Sequence, residues 1–185
     1  MEMKLHATIQ LIAQLEGEFT GMELLAVCSN RVGHNDRAWH VAWNPKRPVL
    51  ASCSADKTVR MYHYHAKSAL EDGDNGGQTF DHSTTIPTGH AKTVRAIAWS
   101  PSGKTLATAS FDSNIGIWAQ EEDNDSGHLS TTEWECMSLL EGHETECKSV
   151  AYSAGGNLLA SCSRDKTVWV WEGTPASSSA YRPVM

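Results

Sequence analysis

The sequence has no basic block, no apolar run of membrane-spanning length and no CxxC pair, and each absence closes off a class of function. Its 15 Lys and Arg are outnumbered by 22 Asp and Glu, for a net charge of −7. Such a chain offers a phosphate backbone no cationic track, so no nucleic-acid partner is expected. A transmembrane helix needs ~20 largely apolar residues in a row. No stretch approaches that, and no membrane partner is expected. The N-terminal MEMKLHATIQLIAQLEGEF is interrupted by Gln and Glu and lacks a small-residue cleavage site, which argues against a signal peptide. Five cysteines (Cys28, Cys53, Cys136, Cys147 and Cys162) are odd in number and carry no paired spacing. That suits a reducing compartment and supplies no zinc or iron–sulfur ligand set, so no metal or other cofactor is expected. The expected location is the cytosol, with nuclear access left open.

What the chain does have is repetition. Residues 142–171, GHETECKSVAYSAGGNLLASCSRDKTVWVW, return at 89–118 as GHAKTVRAIAWSPSGKTLATASFDSNIGIW and at 33–62 as GHNDRAWHVAWNPKRPVLASCSADKTVRMY. In each copy a Gly-His pair precedes an aspartate by the same 22 residues: His34 to Asp56, His90 to Asp112, His143 to Asp165. Six residues later stands a large aromatic, Tyr62, Trp118 or Trp171. A fixed period of this kind decides the architecture before any local propensity does. Within a copy, KSVAYS alternates apolar and polar residues, LLASCS follows after Gly155-Gly156-Asn157, and TVWVW follows the tight turn at Arg164, Asp165 and Lys166. The pattern predicts three short antiparallel strands per copy. A fourth strand falls between copies, at Trp134 to Leu140 and, less clearly patterned, at Gln78 to Ile86. Four-stranded units repeated radially make a β-propeller.

These features resemble the WD-repeat family over about residues 33–172, with Gly-His near the start of each unit. The closing dipeptide departs from the family, reading Tyr62-His63, Trp118-Ala119 and Trp171-Glu172 without the final Asp. The expected fold is therefore all-β, a WD-repeat β-propeller truncated to about three four-stranded blades. Repeat 1 spans 33–86, repeat 2 spans 89–140, and repeat 3 spans 142–172 without its outer strand. Residues 173–185, rich in Ser, Ala and Pro, are expected to be a disordered tail. Residues 1–32 form an N-terminal extension with a candidate strand at Met22 to Cys28, or a helix at Leu5 to Leu15. Closure of a propeller takes roughly 4–8 blades, so the sequence reads as a fragment of a longer ring. Taken alone it is expected to be marginally stable and prone to association. Two acidic insertions, Ala66 to Gly77 and Gln120 to Gly127, read as solvated loops.

A Ser or Thr four residues before each aspartate (Ser52, Thr108, Ser161) completes what could be a hydrolase triad with the His and Asp. Three copies of one triad would be a strange enzyme, and a shared structural role explains the repetition better. In the WD-repeat family such groups form a tetrad with the closing aromatic. The resemblance implies His34, Ser52, Asp56 and Tyr62 in the first blade. It implies His90, Thr108, Asp112 and Trp118 in the second, and His143, Ser161, Asp165 and Trp171 in the third. Tyr62 in place of Trp is expected to loosen the first network. Burial of all three His would count against a hydrolase. Cys53 and Cys162 share a strand position with Ala109, which reads as tight packing, and the HxH at His63 and His65 reads as surface.

Positions outside the tetrad are free to carry partners. Ala55, Phe111 and Arg164 precede the turn aspartates, while Trp39, Arg95 and Lys148 form a column on the first strands. Both sets should emerge on one face near the central channel, which in WD-repeat proteins commonly receives partners. Arg164, Arg95, Lys148, Phe111 and Trp39 make an Arg/aromatic set of the kind enriched in binding hot spots, or else an ordinary solvated surface. The stretches TVRAIAWSPSGKTLATASFD, ECMSLLEGHE and KSVAYSAGGNLLASCSRDKTVWVWE are similar, further, to the WD-repeat proteins of cytosolic iron–sulfur protein assembly. That likeness implies a scaffold partnering subunits of the iron–sulfur targeting complex and apo iron–sulfur proteins in cytosol and nucleus, without binding the cluster. A general WD-repeat scaffold, in signalling or as a ubiquitin-ligase adaptor, is the alternative.

Overall fold

Strands form where β-branched and aromatic residues meet turn residues at short intervals, and among the described residues that happens twelve times. The computed structural model describes residues 33–66, 78–122, 129–173 and 181–184. The sequence expectations for 1–32, for 67–77 and for 123–128 lie outside the described residues. The strands are β1 Ala38–Trp43, β2 Val49–Ser54, β3 Thr58–Ala66 and β4 Gln78–Pro87, then β5 Val94–Trp99, β6 Thr105–Ser110, β7 Ile115–Glu122 and β8 Leu129–Leu140. The last four are β9 Cys147–Tyr152, β10 Leu158–Ser163, β11 Val168–Gly173 and β12 Tyr181–Val184. They build three four-stranded antiparallel sheets, each a meander in chain order. No helix occurs among the described residues.

One expectation is corrected. The third unit was expected to lack its outer strand, with 173–185 unpaired, yet β12 pairs antiparallel with β11 over Val170–Gly173. Composition hid it because Ser, Ala and Pro dominate the tail, whereas Tyr181 supplies the anchor. Its ring stands 6.4 Å from that of Tyr152. Gly173 leaves the room: a Cβ there would lie 3.2 Å from the Tyr181 ring. Arg182 reaches Glu172 opposite it at 2.9 Å. Pro183, which cannot donate to a ladder, sits on a strand paired on one side only, the place a sheet tolerates it.

Adjacent blades bury their faces against each other. Val49, Val59, Met61 and Ile86 of the first sheet pack with Val94, Ile97, Leu106 and Trp118 of the second. The opposite face of the second, through Ala107, Ile115, Ile117 and Leu140, packs with Cys147, Val150, Leu159 and Trp171 of the third. The middle sheet is thus covered on both sides, and every residue of β6 is buried. The two flanking sheets show the contrast, with Trp39, Val41 and Trp43 on β1 and Val168 on β11 exposed. A polar lock fixes the first joint. Asn44 Nδ2 and Arg47 Nη2, from the β1–β2 turn, both donate to the carbonyl of Gly103 in the β5–β6 turn, at 2.8 and 2.9 Å. Trp99 Nε1 adds a bond to the Ala42 carbonyl at 3.1 Å.

Gly103 must be glycine on two counts. Its φ is +71°, and a Cβ would lie 2.5 Å from Asn44 Oδ1. Gly103→Ala is expected to destabilise the chain by about 1–3 kcal/mol through the strained φ alone, with the clash adding to it. A thermal melt of the variant matching the parent would disprove the lock.

Candidate functional site: the turn tetrads and the face they support

Each sheet is stitched by one network at the end where β2–β3, β6–β7 and β10–β11 turn. His Nδ1 lies 3.0 Å from Asp56, 3.0 Å from Asp112 and 2.8 Å from Asp165 in the three sheets. His Nε2 meets Ser52 Oγ at 2.8 Å, Thr108 Oγ1 at 2.9 Å and Ser161 Oγ at 2.8 Å. An ionised carboxylate only accepts, so Nδ1–H points to it and Nε2 takes the hydroxyl proton. The hydroxyl oxygen in turn accepts from Trp118 Nε1 at 3.0 Å and Trp171 Nε1 at 2.9 Å. Tyr62 holds the matching register opposite Leu50 and is buried. The expected loosening of the first network does not reach its His–Asp and His–Ser contacts, which are as short as the others.

The aspartates are the hubs. Asp56 accepts from the backbone N–H of Asn35 and of Thr58 and from the Thr58 hydroxyl. Asp165 repeats this with Glu144 and Thr167. Asp112 has Ala91 and Asn114 N–H. Burial alone would raise these carboxyls, but the donors overcome it and Asp56 is pulled down to about 2. Asp112 and Asp165 are lowered too, against burial, by His90 and by Thr167 as their chief donors. His34 is lowered because burial outweighs its attraction to Asp56. The residue after each aspartate, Lys57, Ser113 or Lys166, has φ of 70°, 76° or 74°.

Three residues that the repeat reading missed complete the turn. Ser54, Ser110 and Ser163, two before each aspartate, accept from its N–H through Oγ at 3.0–3.1 Å. Each donates onward to a carbonyl of the loop after Gly-His, at Asp36, Lys92 or Thr145. Their recurrence two residues ahead of the aspartate was the available signal. Gly116 was also missed: a Cβ there would come within 2.8 Å of both Trp118 Nε1 and Thr108 Oγ1.

Above these turns lies the face. The register of β1, β5 and β9 skips one residue each, and the skipped residues are Trp39, Arg95 and Lys148. A bulge bends the strand and re-aims the extra side chain. Beside them, the N–H of Ala55, Phe111 and Arg164 donates to the carbonyls of Arg37, Thr93 and Glu146 at 2.9, 2.9 and 3.0 Å. The backbone at these positions is held whatever side chain it carries. The structure brings the five candidates into a ladder across all three blades. Arg95 lies over the Trp39 ring at 5.0 Å, Trp39 stands 6.4 Å from Phe111, and Lys148 Nζ sits 4.0 Å over Phe111. Arg164 stands at the end, its side chain 71% exposed and 3.8 Å from Glu146, which also holds Lys148 at 2.6 Å. Lys148 and then Arg164 hold the Glu146 carboxyl below its ordinary value.

Other candidates stay apart from this face. Cys53 and Cys147 are fully buried, and burial pushes both thiols up to about 12, the behaviour of packing residues. Cys162 is only half-buried. His63 and His65 are exposed and stacked at 6.3 Å. Among the described residues no cluster of His, Cys, Asp and Glu is grouped to hold a metal ion.

Meanders of four strands, packed blade on blade and each tied by a His–Asp–hydroxyl network, define a segment of WD-repeat β-propeller. The chain belongs to the WD-repeat β-propeller family: residues 41–178 match the model described as the second β-propeller of WD repeat-containing protein 75. Among curated proteins it is 46% identical, over 84% of its own length, to a probable cytosolic iron-sulfur protein assembly protein 1 of Mycosarcoma maydis. A protein of the same name from Cryptococcus neoformans var. neoformans is 46% identical over 77% of the chain. A probable cytosolic Fe-S cluster assembly factor of Schizosaccharomyces pombe is 40% identical, also over 77%. The chain spans 39%, 38% and 20% of the lengths of these three relatives.

Two outcomes are expected. Asp112→Ala would leave the buried ring N–H of His90 without its acceptor, lowering stability by about 1–3 kcal/mol in a chemical denaturation experiment. Acid should act through the same hubs. The Asp56 contribution is complete above the ordinary carboxyl value of 3.8 and is lost as pH falls toward about 2. His34 resists protonation when folded, so stability also falls as pH drops below 6.5. Melting temperature against pH should therefore decline below 6.5 and more steeply below 4, and a flat profile from 6 to 3 would contradict both shifts.

Proposed function

We propose that the protein is a non-catalytic scaffold of cytosolic iron–sulfur protein assembly, helping to direct clusters to apo-proteins of cytosol and nucleus. The names of its relatives support the process, at 46% identity over most of the chain. The observation that carries the scaffold role is the ladder of Trp39, Arg95, Phe111 and Lys148, ending at Arg164, on bulges and clamped turns. A rigid row of cations interleaved with rings suits an acidic segment of a partner, with Arg offering a fork of donors to a carboxylate. Targeting-complex subunits and apo iron–sulfur proteins are the proposed partners, met in the cytoplasm and nucleus.

The hydrolase reading has little support. The side chains of His34, His90 and His143 are 5%, 1% and 0% exposed, and their hydroxyl partners are bonded inside the blade. A general adaptor in signalling or ubiquitin ligation stays compatible with the family model, which covers a different WD-repeat protein by name. Affinity capture of the tagged protein separates the readings. Iron–sulfur assembly factors in the eluate support the first, and ligase or signalling subunits in their place overturn it.

Arg164→Glu is expected to weaken that capture about tenfold or more, equivalent to roughly 1.4 kcal/mol. Its stability should stay within about 0.5 kcal/mol of the parent, as for other exposed substitutions. Unchanged capture, or loss accompanied by unfolding, would remove Arg164 from the site.

A further inference from the structure

At the far end of the first joint, away from the ladder, the first and second sheets part to leave a cavity of about 90 Å³. Val49, Met61, Trp99 and Trp134 form its apolar wall, and Arg47 and His63 stand at its polar side. The wall is built, not incidental. Val49, Met61 and Trp99 are buried, and Trp134 meets Trp99 edge-on at 5.6 Å. Arg47 is held across the joint by its bond to the Gly103 carbonyl, which occupies one edge of the guanidinium. No described carboxylate comes within ion-pair distance of Arg47, in a chain where acidic residues outnumber basic ones by 22 to 15. Burial makes the guanidinium charge harder to hold. An oriented, half-buried cation with no counter-ion among the described residues is prepared for an anion.

Size narrows the ligand. The volume is about three times the ≈ 30 Å³ share of one liquid water, room for a short aliphatic stem and a carboxylate. It is far below the ≈ 300–1,000 Å³ of a site for a drug-sized molecule. A free acid of that size would bury few atoms, whereas a side chain borne on a polypeptide brings further contacts along the rim. We propose that this crevice is a second binding site, taking a single glutamate side chain from an acidic segment of a partner protein. Its methylenes would lie on Met61, Val49 and Trp134, and its carboxylate on the open edge of Arg47. The inference is independent of the iron–sulfur reading and of the ladder.

The test is an NMR titration of the 185-residue chain, following the indole N–H signals of Trp99 and Trp134. The probes are acetyl-Ser-Glu-Ser-amide, its Gln counterpart and propionate, at constant ionic strength. The Glu peptide should shift both signals at millimolar concentration, and the Gln peptide should not. Arg47→Gln should weaken the response at least tenfold and Arg47→Lys should keep part of it, with unmoved indole signals of Trp118 and Trp171 showing that each variant is folded. Equal shifts from the Glu and Gln peptides would overturn the site, as would an Arg47→Gln response equal to the parent or no shift at about 10 mM peptide. A stronger response to propionate than to the Glu peptide would overturn the assignment to a protein segment. If Arg47→Gln unfolds, Arg47→Lys and the peptide pair decide alone.

Discussion

Each sheet depends on one carboxylate, buried at the hairpin between its second and third strands. Asp56, Asp112 and Asp165 gather donors from their own turn and from the loop before the first strand, which supplies both a histidine ring and the next backbone N–H, so two distant stretches of chain converge on two oxygens. Remove that acceptor and a buried histidine ring loses the partner that fixes its tautomer, which is why the members of the network stand or fall together. The outer strands are joined to their sheets by ladders of backbone bonds, with ring contacts such as Tyr152 on Tyr181. Stability is therefore uneven within a blade, polar and convergent at the inner turn and apolar toward the rim.

The His-to-Asp interval and the closing aromatic were legible because both are sequence-fixed distances within one meander. So were the three inner strands, whose alternation and turns follow local rules. Less visible was β12, since a four-residue strand anchored by Tyr181 on Tyr152 depends on a contact between residues far apart in the chain. Ser54, Ser110 and Ser163 recur as faithfully as the aspartates, yet serine beside a turn carries so many ordinary explanations that recurrence alone did not single them out. Tyr62 bears on the first network more narrowly. A changed side chain suggested a loose network, whereas the His34, Asp56 and Ser52 geometry is set by the turn and survives the exchange.

For the candidate face, the sequence placed the five residues together but gave no reason for their direction. That reason is the missed register at Trp39, Arg95 and Lys148, a property of paired strands that no single strand reveals. The joint between blades was also invisible. Asn44, Arg47 and Gly103 look like unrelated turn residues until two donors are seen to share one carbonyl.

The clamped backbone at Ala55, Phe111 and Arg164 separates shape from message. In every blade the same main-chain bond is made there, so methyl, phenyl and guanidinium are displayed from equivalent mounts at intervals set by blade spacing. The fold thus behaves as a printing forme with interchangeable type. Rewriting the three characters alters what is read from the surface while the block that holds them stays as it was.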